Sequence, residues 1–458
     1  MEVGVGRPVA GELPITRPQE GLWLAQSLAP RLQNVISVVW GVTGPIDSDL
    51  MSAALAATET EAGALHVNFE VADWRVVQRR RTDVVCCPAH YDLSGSEDPE
   101  RSGRDLVSGI LAAPVDLAAD QLHRVGLIKI ADDRHLLFLA AHHLVIDGYG
   151  SMIFIRRVAQ IYAALLAGDP VGDTPFAGPE RIVREEEEYL DSAERIADRQ
   201  FWSDYLDVVP EPPALPSARD GTEDGLKTKE LVLSDAAGES VRLAADQLGV
   251  WVLQFVSAAV AAYFSTCARS SEFVLRYVAA NRSGLARSEV GMLANMVPVK
   301  VATMADRRFS SFVAAFLDEV SKCMTHSRYP LSDVIADVGL SGHVRNPLGP
   351  AINLVPFLES PRFGDATSAM EPLSYGAVDD LLVSVYELPG DRRVGIRIDA
   401  NSTQYDDSAV TEVLAELTAL LRRVAANPHA VVGATAPRAR RIGTVLPTWL
   451  GRLRVVRR

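Results

Sequence analysis

The chain has 458 residues, enough for two or three domains of ordinary size, and its 48% hydrophobic and 23% charged residues make a globular composition. A net charge of −14 excludes general affinity for nucleic acid, which needs a basic face, and favours solubility. The four cysteines, Cys86, Cys87, Cys267 and Cys323, form no Cys-x-x-Cys or Cys/His cluster, so no metal site is expected.

So few thiols suggest a reducing, cytoplasmic setting. The first thirty residues lack a basic start followed by an apolar core, so no signal peptide is read there. The apolar stretches stay below bilayer-spanning length, which predicts no membrane association.

In chain order, a polar lead gives way to a helical stretch over Gln19–Leu28. Residues 34–43, NVISVVWGVT, are rich in β-branched side chains and predict a strand. A helix over 46–60 follows, capped near Asp47 or Ser48. Short strand-like runs occupy 64–88, and 101–113 reads as helix. HRVGLIKI (123–130), a turn at 131–134 and HLLFLAA (135–141) predict a hairpin whose second strand runs into HHLVIDGYG (142–150). Apolar residues from Met152 to Leu166 then recur at helical spacing.

Residues 183–206 are charged and helical in pattern. The stretch 208–226 is rich in Pro, Gly and acid and is the best linker signal. Beyond it, helices are predicted near 240–265, 309–325 and 406–425. Strands are predicted at 273–279, 296–302, 350–357, 379–387 and 393–400. This interleaving suggests two α/β lobes about a central linker. The division is 1–180 for the N-terminal lobe, 181–226 for a connecting helix and linker, and 227–435 for the C-terminal lobe. Residues 436–458 form a basic tail. Its seven arginines, Arg438, Arg440, Arg441, Arg452, Arg454, Arg457 and Arg458, fit either a solvated tail or a docking segment for an acidic partner.

The string that could carry chemistry is His142-His143, three spacers, then Asp147-Gly148. In a strand neighbouring side chains point to opposite faces, so only one histidine can face a given cavity. Asp147 lies across a turn, where it could hold the turn by an ion pair or backbone hydrogen bonds. Gly148 permits a conformation that a side chain would block. Taken alone, the string fits a catalytic and a core histidine equally well.

It does not stand alone. HHLVIDGYG (142–150) resembles the active-site motif of the condensation domains of nonribosomal peptide synthetases, within the chloramphenicol-acetyltransferase-like superfamily marked by His-x-x-x-Asp-Gly. LPITRPQEGLWLAQSL (13–28), with Gln19 and Trp23, resembles the family's opening motif. EYLDSAERIADRQFWSDYL (188–206), EVGMLANMVPVKV (289–301), THSRYPLSDVI (325–335) and RNPLGPAINLVPF (345–357) resemble later motifs, in the family's order. The second motif is eroded to ETEAGALHVNF (59–69), where only Leu65 and Phe69 match. That erosion and RYPLSDVIADVGL (328–340) resemble the domain that opens an enterobactin-type synthetase.

The resemblance implies an α/β fold of two chloramphenicol-acetyltransferase-like lobes in a V-shaped pseudo-dimer, with His143 midway along a tunnel between them. It implies a condensation enzyme that joins a carrier-bound acyl or aminoacyl thioester to an amine or hydroxyl. The extent of the sequence, one condensation unit opening on Met, adds the expectation of a free-standing monomer unless it was cut from a longer synthetase. No cofactor is bound permanently. The substrates ride on phosphopantetheine arms of peptidyl carrier proteins, and the acceptor is carrier-bound or a free small molecule. His143 is the catalytic group, as general base or as the hydrogen-bonding group that positions the nucleophile. His142 supports the loop. Asp147 is structural, and Arg282, in AANRSGL, is its partner. The Gly148 amide could face a developing oxyanion. Asn295 either ties the lobes together or caps a turn, and Tyr149 and Gly150 shape the acceptor side.

The chain shows no carrier serine in a Leu-Gly-Gly-x-Ser setting, no glycine-rich phosphate loop and no Gly-x-Ser-x-Gly elbow, which argues against a self-carrier, ATP use and a serine hydrolase. Three alternatives stay open, among them an epimerising relative, for which no distinct signature is seen. Another is a coenzyme A-dependent O- or N-acyltransferase of the same superfamily, although the late Asp-Phe-Gly-Trp-Gly of its plant-type members is absent. The third is a catalytically silent recruitment module, which the intact motif disfavours.

Overall fold

The computed structural model describes residues 11–28, 34–83, 86–216, 225–282, 284–304, 307–340, 347–356, 358–431 and 453–454. The basic tail, apart from 453–454, and the middle of the linker lie outside them.

The chain begins with β1 (Glu12–Pro14), α1 (Arg17–Leu28), β2 (Val35–Thr43) and α2 (Ser48–Glu61). The Asp47 side chain starts α2 by accepting the amides of Asp49 and Leu50. β3 (Val67–Ala72), β4 (Arg75–Arg80), β5 (Ala89–Asp92) and α3 (Pro99–Ala112) follow. The expected hairpin is β6 (His123–Ala131) and β7 (Arg134–His142), paired antiparallel, and it leads into α4 (Gly148–Ala167). The charged stretch forms two helices, α5 (Pro179–Leu190) and α6 (Ala193–Tyr205).

β8 (Leu226–Val232), α7 (Asp235–Leu248) and α8 (Val252–Cys267) come next. The sequence suggested helix near 240–265; it is two helices, because Gly249 takes a left-handed φ of +67° as a C-cap and the axes turn by 94°. β9 (Glu272–Ala279), β10 (Asn295–Ala302), α9 (Phe309–Met324), α10 (Leu331–Asp337) and β11 (Ala351–Val355) follow. The remaining elements are β12 (Thr367–Tyr375), β13 (Leu381–Glu387), β14 (Val394–Asn401), α11 (Asp407–Ala426) and the two-residue β15 (Leu453–Arg454).

Two compact units result. The first comprises residues 1–194, 280–294 and 359–376, and the second 195–279, 295–358 and 377–458. Both are thus discontinuous: 280–294 and 359–376, which the sequence reading placed in the C-terminal lobe, group with the first unit. The first unit holds a five-stranded sheet of order β12-β2-β7-β6-β5 and a three-stranded sheet of order β1-β4-β3. The second holds a seven-stranded sheet of order β10-β9-β11-β13-β14-β8-β15.

In the first unit Val39, Ile128, Leu136 and Phe138 pack with Val107 of α3 on one face of the five-stranded sheet. In the second, α8 is buried along nearly its whole length, against Phe273, Leu275, Val383 and Val385. One length expectation is corrected. α4, at 20 residues, is long and apolar enough by length and composition to cross a membrane, yet 56% of that window is buried inside the protein. Its apolar residues meet α2, so core packing accounts for its composition.

Phe138 sits in the middle of β7, fully enclosed. Phe138→Ala should cost about 3–5 kcal/mol of unfolding free energy, read by urea titration, because the cavity left behind cannot fully collapse.

Candidate active site

β7 lies between β2 and β6, so its end is held on both sides. The His142 amide donates to the Leu122 carbonyl (2.7 Å) and the His143 amide to the Asn34 carbonyl (2.8 Å). His142 is the last strand residue, and His143 opens a turn closed by Val145 N–H to His142 O (3.0 Å). Gln19, from the opening motif, braces that turn by donating to the Leu144 carbonyl (2.8 Å).

The two histidines have different surroundings. His142 is 3% exposed and uses both ring nitrogens. Nδ1 accepts the Leu144 amide (3.2 Å), so Nε2 carries the proton and donates to Gln26 Oε1 (3.2 Å). Burial, helped by the neighbouring His143, pushes its pKa down to about 3. His143 is partly exposed. Its Nδ1 is enclosed without a hydrogen bond of good geometry. Nε2 is not sealed off, and no described residue hydrogen-bonds to it. Burial is the main influence and lowers the His143 pKa below the usual imidazole value. The charge of Asp147 and the carbonyls of His143 and Ile146 oppose it. The ring is therefore neutral at pH 7.

Asp147 faces away from that chemistry. Its carboxylate, 2% exposed, receives four donors. Oδ1 accepts the Gly150 amide (2.8 Å) and Arg282 Nη2 (2.5 Å), and Oδ2 accepts the amides of Leu293 (2.9 Å) and Ala294 (3.0 Å). The pairing with Arg282 implied by the resemblance is made. Arg282 in turn donates to the carbonyls of Ala286 (3.3 Å), Glu289 (2.9 Å) and Gly291 (3.3 Å). One buried ion pair thus joins the turn after β7 to segment 280–294.

The glycines differ from expectation. Gly148 does not adopt a left-handed φ, and a Cβ built on it meets nothing within 4 Å. It leaves open space over the first turn of α4 and is not needed for conformation. Its amide has no protein partner among the described residues. Gly150, expected on the acceptor side, is buried, and a Cβ there would lie 3.0 Å from Ile146 Cγ1 and 3.2 Å from the Gly291 carbonyl. Gly150 therefore permits close packing of α4 on segment 280–294. The Tyr149 ring covers the Arg282 guanidinium, with 5.2 Å from Cζ to the ring centroid. Asn295 belongs to the second unit. Its Nδ2 donates to the carbonyls of Ser327 and Tyr329 (both 2.8 Å), and its Oδ1 accepts the Leu331 amide (3.3 Å) at the start of α10. These bonds all lie inside that unit and cap the turn that leads into α10.

Other contributors escaped the sequence reading. Asn34, Gln26, the amides of Leu293 and Ala294, and Gly376 surround the motif. Backbone donors carry no side-chain signature, and Gly376 ends a strand that the pattern did not reveal. Among the described residues no group of three or more His, Cys, Asp or Glu side chains could hold a metal ion.

The family model for the condensation domain matches residues 9–436, and the chain belongs to this family. It is 31% identical to the isonitrile lipopeptide synthase of Streptomyces coeruleorubidus, over 92% of this chain and 29% of that protein. It is 26% identical to enterobactin synthase component F of Escherichia coli K12, over 92% of this chain and 33% of that protein. The chain thus spans about a third of the length of these relatives. Among solved structures, the first condensation domain of the calcium-dependent antibiotic synthetase superposes with a TM-score of 0.83 at 27% identity, covering 92% of this chain and 98% of that one. A variant of the starter condensation domain of rhizomide synthetase, in complex with C8-CoA, gives a TM-score of 0.82 at 25% identity, over 93% and 98%. These likenesses establish the α/β condensation-domain fold.

Asp147→Ala would leave Arg282 buried without its charge partner. A loss of about 3–5 kcal/mol in unfolding free energy is expected by urea titration. The buried histidines predict a pH dependence. His142 is neutral in the folded chain down to about pH 3 but protonates near 6.5 when unfolded. Well above pH 6.5 His142 is unprotonated in both states. Below 6.5 the unfolded chain binds more, so stability falls as pH drops towards 3. Between pH 6 and 4, His142→Gln should flatten the slope of unfolding free energy against pH by up to about 1.4 kcal/mol per pH unit.

Proposed function

We propose that the chain is the acyl-transferring unit that joins a thioester donor, carried on the phosphopantetheine arm of a peptidyl carrier protein, to an amine or hydroxyl acceptor. The observation that carries this reading is His143: a neutral imidazole whose Nε2 is open, on an intact His-His-x-x-x-Asp-Gly motif, in a condensation-family chain. The acceptor attacks the thioester carbonyl as its N–H or O–H proton passes to Nε2 of His143. The tetrahedral adduct collapses with cleavage of the C–S bond. The proton returns to the departing sulfur, which leaves as a thiol, and His143 ends neutral as it began. The unengaged Gly148 amide, at the first turn of α4, suits the developing oxyanion.

Asp147, wholly occupied by its four donors, acts by holding the turn. An amine acceptor, once deprotonated, makes little demand on His143, whereas a hydroxyl needs more base assistance. Because one structural relative holds C8-CoA, a coenzyme A thioester deserves a place beside carrier-bound donors in any assay.

The test loads acyl and aminoacyl groups on a carrier protein and on coenzyme A, offers amines and alcohols free or carrier-bound, and follows donor unloading by intact-mass spectrometry. His143→Ala should lower turnover by about 10²–10⁴-fold with an unchanged melting temperature. Full turnover by that variant would sink the role of His143. No transfer from any donor, together with tight carrier binding, would favour a silent recruitment module.

A further inference from the structure

Resting on the role proposed for His143, we infer that Gly376 is a positioning residue for its ring, a glycine that forms the wall against which the imidazole is seated. A functional imidazole is ordinarily oriented by a hydrogen bond to its other nitrogen. His143 has none of good geometry, since its Nδ1 is enclosed without a partner. Its backbone is fixed through the Asn34 carbonyl (2.8 Å). The carbonyls of His143 and Ile146 lie near the ring without a hydrogen bond of good geometry, so what the ring packs against contributes to its direction.

The wall is close. A Cβ built on Gly376 would stand 2.7 Å from His143 Cδ2, 3.6 Å from His143 Cγ and 3.0 Å from Asn34 Oδ1. Cδ2 is bonded to Nε2, so a push on that edge moves the atom proposed to take the proton. Neither neighbour can yield easily, because the His143 and Asn34 backbones are hydrogen-bonded to each other. Gly376 is also held in place. Its φ of +87° lies in the left-handed region, and its amide donates to the Oγ of buried Ser374 (3.2 Å). A register shift between Pro372 and Ser374 sets the phase in which β12 arrives at this point. Through Gly376 the excursion 359–376 acts on the direction of the ring. Gly148 is the contrast: a Cβ there meets nothing.

The experiment compares Gly376→Ala with Gly364→Ala. Gly364 lies in the same excursion and also has a left-handed φ, of +60°, but its Cβ would meet the end of the Leu166 side chain and not the site. The full chain is labelled with 15N-histidine, and the His143 ring signals are assigned by their loss in His143→Ala. Ring shifts and titration, melting temperature, and transfer kinetics with the donor–acceptor pair turned over by the wild type are then recorded. In Gly376→Ala the His143 ring signals should move and kcat should fall by about 10²-fold with KM little changed. Gly364→Ala should alter neither.

Wild-type ring signals in a folded Gly376→Ala protein would overturn the inference. So would an equal loss of kcat in Gly364→Ala, or an unchanged kcat despite a moved ring while His143→Ala is inactive. Should the ring move while His143→Ala keeps full turnover, the proposed role of His143 fails, and the positioning role of Gly376 falls with it. If Gly376→Ala does not fold, Ser374→Ala decides, because it frees Gly376 without adding atoms. Shifted ring signals with a lower kcat would support the inference, and no change in either would overturn it. If no donor is turned over at all, the ring signals alone decide whether Gly376 seats His143.

Discussion

The carboxylate of Asp147 is the interaction on which the first unit's site depends. It is removed from water, which is costly for a charge, and the cost is offset by one guanidinium and three backbone amides. Two of the amides and the guanidinium come from segment 280–294, far along the chain from Asp147. The third, from Gly150, closes the first turn of α4. One side chain therefore fixes where β7 stops, where α4 starts and which distant segment lies against the turn. His143 is placed as a consequence.

The same turn separates two chemically identical side chains into different states. His142, still in the strand, is bonded through both nitrogens and is pushed far below the usual imidazole range by burial. His143, one residue later, is off the strand; the carbonyls of His143 and Ile146 lie near its ring, but among the described residues neither nitrogen makes a hydrogen bond of good geometry. Its pKa is lowered less simply, because Asp147 and two carbonyls work against desolvation. The result is a structural histidine that braces the loop and a neutral one with an open nitrogen. A Coulombic attraction to Asp147 is present, but that carboxylate is saturated by other donors, so it does not orient the ring.

The three glycines near the motif illustrate distinct uses of a missing side chain. Gly148 leaves space, Gly150 lets two backbones approach, and Gly376 combines a left-handed φ with contact against an imidazole. In the second unit Asn295 does comparable local work, tying the start of β10 to the residues that begin α10. Its resemblance to a family motif marks it as important without saying what it holds.

Local pattern specifies the strongly periodic parts. The β-branched run of β2, the β6–β7 hairpin, the amphipathic α4 and α11, and the Asp47 cap of α2 all depend on neighbours in sequence, and local composition and periodicity report such contacts. The motif order was equally legible, and with it the family and His143 as the candidate base. Tertiary structure alone decided the rest. β12 reads poorly because it is an edge strand with Pro372 at a register shift, and its alternately buried positions hold Pro372 and Ser374, which carry no hydrophobic strand signal. Its assignment to the first unit, like that of 280–294, follows from pairing with β2 and from the Asp147 cluster, both long-range. The conformations of Gly148, Gly150 and Gly376 were indistinguishable as letters, because what a glycine is for depends on which atoms would meet its absent Cβ. The amides of Leu293 and Ala294 left no trace, since every residue but proline has one, and only the fold aims them at a carboxylate.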